Sequence, residues 1–208
     1  MYHPAMLPAN SDVTVFVLAG GKSTRMGTDK AFVKLNGRTL LSRMLDLARS
    51  VAADVRIVGD PAKFSQFAPV VEDIFPGCGP LGGIHAALRS SQTDMNLIVA
   101  VDVPFLSSKL LEFLIAKSRA SLAAVTVVRT SEGWQPLCAA YRREFADLAE
   151  KSLQAGNHRI DALFASATTM VIDELELKTC GLGAELFRNL NTPEELNAVS
   201  KTEMAKGC

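Results

Sequence analysis

Several stretches of this chain are too apolar for a strand with one wet face. Residues 13–19 are apolar at every position but Thr14, and residues 97–101 are apolar throughout. A strand with one face in water alternates apolar and polar residues. A continuously apolar strand is buried on both faces, as in a parallel sheet covered by helices. Between these runs the period changes: Leu40, Leu41, Met44, Leu45, Ala48 and Val51 recur at steps of three and four, which is one face of a helix. Further strands are expected over 55–58, 69–71, 122–128, 137–141 and 170–172. Further helices are expected over 84–88, 142–154 and 159–164, with a short helix or turn over 61–67. Ser107 is a candidate N-cap for a helix carrying Leu110, Leu111, Leu114 and Ile115, Gly156 a helix stop, and Thr192 with Pro193 the start of a last helix. This alternation predicts an α/β fold, one doubly wound, mostly parallel sheet.

The chain has 208 residues, which suits one domain. The expected division is a disordered tail over 1–12, the domain over 13–200 and a short tail over 201–208. Twenty-two basic and 22 acidic residues cancel. A neutral chain has no general attraction to nucleic acid or anionic membrane, so neither is an expected partner. The four cysteines include no C-x-x-C pair, which argues against a zinc site. No run approaches the roughly 20 apolar residues of a membrane span, and residues 1–12 lack the pattern of a signal peptide, so a cytoplasmic protein is expected.

In a doubly wound sheet, ligands bind beyond the carboxyl ends of the strands. Two polar segments fall there. The first reads Leu18-Ala19-Gly20-Gly21-Lys22-Ser23-Thr24-Arg25-Met26-Gly27-Thr28-Asp29-Lys30. Its glycines allow close backbone approach, successive N–H groups make an anion-binding concavity, and Lys22, Arg25 and Lys30 add positive charge. The order is neither a Walker A loop nor G-x-G-x-x-G, and a surface Gly/Ser turn fits the same composition. The second is Asp102, at the tip of the run 97–101. A carboxylate there suits Mg2+, a hard cation that bridges one or two carboxylates to substrate phosphates; a helix cap or turn residue is the alternative.

Three more segments have both a chemical and a plain reading. The loop Gly77-Cys78-Gly79-Pro80-Leu81-Gly82-Gly83 could approach a base or ribose, with Asp73 before it as an acceptor; it could also be a surface loop with a solvated aspartate. Asn189 and Asn191 could orient a metal or phosphate, although Asn191 or Thr192 also reads as a helix cap. His158 and Arg159 could meet an anionic second substrate or begin a solvated helix. His85 reads as a helix-surface histidine, and 134–137 as a loop entering a strand.

Taken together, these segments resemble the molybdenum cofactor guanylyltransferases. The first loop is similar to that family's L-A-G-G-x-S-x-R-M-G-x-D-K segment. Gly79-Pro80-Leu81-x-Gly83-Ile84, Asp102-x-Pro104-Phe105, Gln135-Pro136-Leu137 and Asn189-x-Asn191-Thr192-Pro193-Glu194-x-Leu196 follow in the family's order. The resemblance implies a Rossmann-like nucleotidyltransferase fold that transfers GMP from GTP to the terminal phosphate of molybdopterin. It implies nucleotide contacts at Leu18, Ala19, Gly20, Gly21, Lys30, Asp73, Gly79 and Asp102, with Mg2+ on Asp102. Arg25, Lys30 and Asp102 would act on the triphosphate, Asn189 and Asn191 near the metal or pterin phosphate, and Arg159 toward the pterin. Molybdoenzyme apoproteins or their chaperones are implied as further partners. Gly20-Gly21 resembles the guanylyl branch rather than the Ala-Ala-Gly of the cytidylyl branch. One departure stands out: some members carry a nucleotide-contacting asparagine after the second strand, where this chain reads Val58-Gly59-Asp60. The alternatives are a cytidylyl or sugar-phosphate nucleotidyltransferase of the same fold, and a GTP-binding adaptor without catalysis.

Overall fold

The computed structural model describes residues 10–20 and 29–190. Nine strands occur among them: β1 (Asn10–Leu18), β2 (Lys34–Leu35), β3 (Arg38–Thr39), β4 (Ala52–Val58), β5 (Val70–Val71), β6 (Met95–Ala100), β7 (Val125–Thr130), β8 (Gly133–Arg142) and β9 (Thr169–Asp173). The helices are α1 (Leu40–Val51), α2 (Pro61–Phe64), α3 (Pro80–Ser90), α4 (Ser108–Ala120), α5 (Phe145–Gln154) and α6 (Glu174–Thr179).

Seven strands form one sheet in the order β5-β4-β1-β6-β8-β7-β9. All its neighbours pair in parallel except those of β8, which runs antiparallel to both β6 and β7. The expected mostly parallel α/β sheet is therefore present. The two continuous apolar runs are its centre: β1 from Val13 onward and all of β6 are buried. One layer packs α1 and α4 on the sheet, and the other packs α3 and α5. The six periodic residues of α1 are all buried, each such burial being worth about 1.5–3 kcal/mol for the larger side chains.

Boundaries differ in instructive places. β1 begins at Asn10, before the apolar run, because Asn10 Nδ2 donates to Val51 O at 2.7 Å and Arg119 holds Asp12. α3 starts at Pro80, inside the segment expected to be a loop. Pro80 supplies a helical φ at the first turn, and Gly82 and Gly83 fit because the helix lies close against its neighbours there. β7 starts at Val125, leaving Leu122 exposed. Arg142 ends β8 and α5 begins only at Phe145; the 159–164 segment holds a 3-10 turn, Asp161–Leu163. The 134–137 stretch lies within β8. Ser107 does cap α4, accepting from Leu110 N at 3.3 Å, and Gly156 closes α5 at φ +74°. The Asn36-Gly37 turn, with φ of +52° and +78°, makes the hairpin β2–β3. The expected helix at Thr192 lies outside the described residues.

Candidate active site

The chain leaves β1 in opposite directions: β4 and β5 follow on one side of it, β6 on the other. The crevice where strand order reverses is the usual ligand site of such a sheet. Here it is closed by two backbone bonds. Ala19 N donates to Val58 O at 3.0 Å, and Val101 N donates to Leu18 O at 3.1 Å. Leu18 and Ala19 are thus fixed at the crevice floor, and exposed Gly20 follows them over Gly59, whose Cα would lie 3.8 Å from a Cβ at position 20. Gly21, Lys22, Arg25 and Asn191 lie outside the described residues.

Lys30 returns to this crevice. It opens a 3-10 turn, Lys30–Phe32, that Asp29 caps by accepting from Ala31 N at 3.2 Å. Its ammonium Nζ donates to Asp102 Oδ2 at 2.9 Å, both side chains being 22% exposed. Asp102 follows β6 by two residues, and its carbonyl accepts from Leu190 N at 3.0 Å. That bond brings exposed Asn189 beside Asp102. Two sequence candidates far apart in the chain are therefore paired, and a third is adjacent.

Asp73 stands two residues beyond β5. Its Oδ1 accepts from Phe75 N at 2.9 Å. Burial pushes its carboxyl above the usual range, against the opposing effects of the Phe75 N–H and nearby His85. The carboxylate lies on the bare surface of α3: a Cβ at Gly82 would come within 2.9 Å of both its oxygens. One residue along, a Cβ at Gly83 would meet Leu18 Cδ2 at 3.3 Å. Asp73, the start of α3 and Leu18 thus form one wall. Gly79, at φ +68°, admits the chain to that helix.

One expectation needs correction. His85 is 2% exposed, not a surface residue, because α5 covers that face of α3; its ring meets Phe75 edge-on at 5.1 Å and Arg89 Nε donates to its Nε2 at 3.4 Å. Asp60, in place of the family's asparagine, uses its carboxylate to cap α2 through Ala62 N at 2.9 Å. Arg159 is exposed after α5 and its guanidinium is held by Asp161 at 2.7 Å. The sequence reading gave Asp29 and Lys63 no role, yet they form an ion pair at 2.9 Å next to Lys30.

The assembled groups suit electrostatic work: a lysine, a strand-end carboxylate and a backbone turn at a sheet crevice. Cys138 offers no nucleophile there, since complete burial pushes its thiol far above the ordinary range. Among the described residues no three His, Cys, Asp or Glu cluster as a metal cage. No described helix is long and apolar enough to cross a membrane.

Known proteins are similar to this chain in sequence and in fold. The chain is 36% identical over 187 residues to a molybdenum cofactor guanylyltransferase of Desulfosudis oleivorans, covering 88% of this chain and 92% of that protein. A counterpart from Vibrio atlanticus is 34% identical over 184 residues, covering 86% and 91%. Among solved structures, molybdopterin-guanine dinucleotide biosynthesis protein A from Archaeoglobus fulgidus superposes with a TM-score of 0.81 at 25% identity, over 92% of this chain and 99% of that one. A cytidylyltransferase from Thermus thermophilus, 17% identical with a TM-score of 0.66, shares the fold. Residues 15–170, which hold the end of β1, the Lys30 turn, Asp73 and Asp102, match the family described as the MobA-like NTP transferase domain, and the chain belongs to that family.

Proposed function

We propose that this enzyme transfers GMP from GTP to the terminal phosphate of molybdopterin, forming the guanine dinucleotide and releasing pyrophosphate. The observation that carries this reading is the Lys30–Asp102 pair at the reversal point of the sheet. The names borne by relatives at 30–36% identity support the choice of substrates.

The chemistry needs no protein nucleophile, because an acceptor phosphate oxygen attacks the α-phosphorus and pyrophosphate leaves. The protein's task is to position two anions and neutralise charge. The floor formed by Leu18, Ala19 and Gly20 receives the nucleotide, with Gly21 and Arg25 following in the loop. Lys30 places its ammonium on the triphosphate. Asp73 accepts hydrogen bonds from base or sugar at the wall that Gly79 opens. Asn189 and Asn191 serve the metal or the pterin phosphate, and Arg159 serves the pterin side.

Asp102 fits Mg2+: it is a single hard oxygen donor at a strand end, a setting in which triphosphate oxygens and water supply the other ligands. When bound, the cation withdraws charge from the phosphates. The enzyme works in the cytoplasm on this reading and passes its product to molybdoenzyme apoproteins or their chaperones.

The test is pyrophosphate release from GTP, CTP, ATP and UTP with molybdopterin and Mg2+. Selective turnover of GTP is expected. Selective turnover of CTP would move the enzyme to the cytidylyl branch, and triphosphate binding without pyrophosphate release would make it an adaptor.

A further inference from the structure

We infer that Asp29 and Lys63 form a clamp that aims Lys30, making both of them positioning residues of the transfer reaction. The inference rests on the reading of Lys30 as a triphosphate contact.

A lysine ammonium sits at the end of a flexible side chain with much rotamer freedom to lose. Its aim depends on how firmly its backbone is held. Lys30 starts a single 3-10 turn, a weak element by itself. Three contacts fasten that turn to α2 and the residues just after it. Asp29 divides its carboxylate: Oδ1 accepts from Ala31 N inside the turn, and Oδ2 accepts from Lys63 Nζ at 2.9 Å across to α2. The Phe32 ring stacks on Phe64 with centroids 5.7 Å apart and meets Phe67 at 6.1 Å. Ala31, between these contacts, is fully buried.

The anchor is itself fixed. Asp60 caps α2 directly after β4, and Arg49 of α1 donates to Phe67 O at 2.8 Å. Phe64 is buried beside Gly59, at the crevice. The clamp therefore ties the Lys30 turn to the end of β4, while Asp102 stands at the end of β6. Lys30 spans the crevice between them.

Lys63 is half exposed, and exposed ion pairs contribute little to stability. Its effect should appear in turnover rather than in melting. The experiment is a double-mutant cycle read by pyrophosphate release and by melting temperature. Lys63→Met is expected to lower kcat/KM for GTP about fivefold while the melting temperature stays within about a degree. Lys63→Arg restores most of the loss, because a guanidinium can still pair with Asp29. Lys30→Met alone lowers kcat/KM about 100-fold, and adding Lys63→Met to it changes nothing further. Asp29→Asn, which keeps the cap but removes the charge, matches Lys63→Met and does not add to it.

An unaffected Lys63→Met beside an impaired Lys30→Met overturns the clamp alone. So does an equal fivefold loss in both backgrounds, since Lys63 would then act independently of Lys30. A fully active Lys30→Met overturns the site reading and the clamp with it.

Discussion

Lys30 and Asp102, 72 residues apart in sequence, meet at 2.9 Å across the crevice of the sheet. The ammonium rests against one oxygen of the carboxylate that, on the proposed reading, would hold Mg2+. On that reading lysine and cation compete for Asp102 until a triphosphate draws Lys30 away. In nucleotide-free protein, Lys30→Met should raise affinity for Mg2+ about tenfold, as expected for removing one neighbouring positive charge in a partly screened site. Titration calorimetry measures it. Unchanged or weaker Mg2+ binding would show that the lysine does not guard that carboxylate.

Asp73 makes the opposite kind of bargain, holding a carboxyl in a place that disfavours its charge. Its folded pKa lies above the ordinary value because burial dominates. Between the ordinary value and the raised one, the folded protein binds more protons than the unfolded chain. Stability therefore falls as pH rises through that window, and the deficit persists at neutral pH. Asp73→Asn should raise the melting temperature at pH 7, with the gain fading below the ordinary carboxylate range. The same variant should bind GTP more weakly. A lower melting temperature at pH 7 would mean that the Phe75 hydrogen bond outweighs desolvation.

Gly59 tests the packing behind the clamp. A Cβ there would lie 2.9 Å from the Phe64 ring, which is buried and cannot swing into solvent. Gly59→Ala should cost about 1–3 kcal/mol by overpacking. Phe64→Leu in the same chain should recover part of it, as denaturant titration would reveal. An undiminished midpoint for Gly59→Ala would show that α2 shifts freely.

Much of this was readable in advance, for identifiable reasons. Residues 13–19 and 97–101 announced two-sided burial, and the α1 residues kept a strict helical period. The placement of Asp102 and of the loop after Ala19 beyond the strand ends followed from topology, but nothing local announced that Lys30 returns to pair with Asp102. What escaped notice depended on neighbours distant in sequence. Pro80 to Gly83 looked like a loop because glycine and proline oppose helices on average. They form one here because Asp73 and Leu18 press against the helix. His85 gave no sign of burial, since only the arrival of α5 covers it. The Asn36-Gly37 hairpin was a missed local signal: both residues favour the positive φ that such a turn needs.

Ser107 provides a control remote from this chemistry. Its hydroxyl caps α4 through Leu110 N. Ser107→Ala should cost about 1 kcal/mol in unfolding free energy. It should leave KM for GTP unchanged, and a rise in that KM would tie α4 to the site.

The antiparallel strand β8 also shapes how the chain must come off the ribosome. β6 and β7 are consecutive in sequence, yet β8 lies between them. The free edge of β6 stays unpaired until β8 has been made, roughly forty residues later, which at ordinary synthesis rates is about 2–8 s. During that interval the nascent chain displays a strand apolar at every position but Asn96, with open backbone groups, a template for pairing with another chain. The half of the sheet that contains β1, β4 and β5 is complete by then. The nascent protein thus passes through a stage in which half its sheet exists and β6 is a vulnerable border.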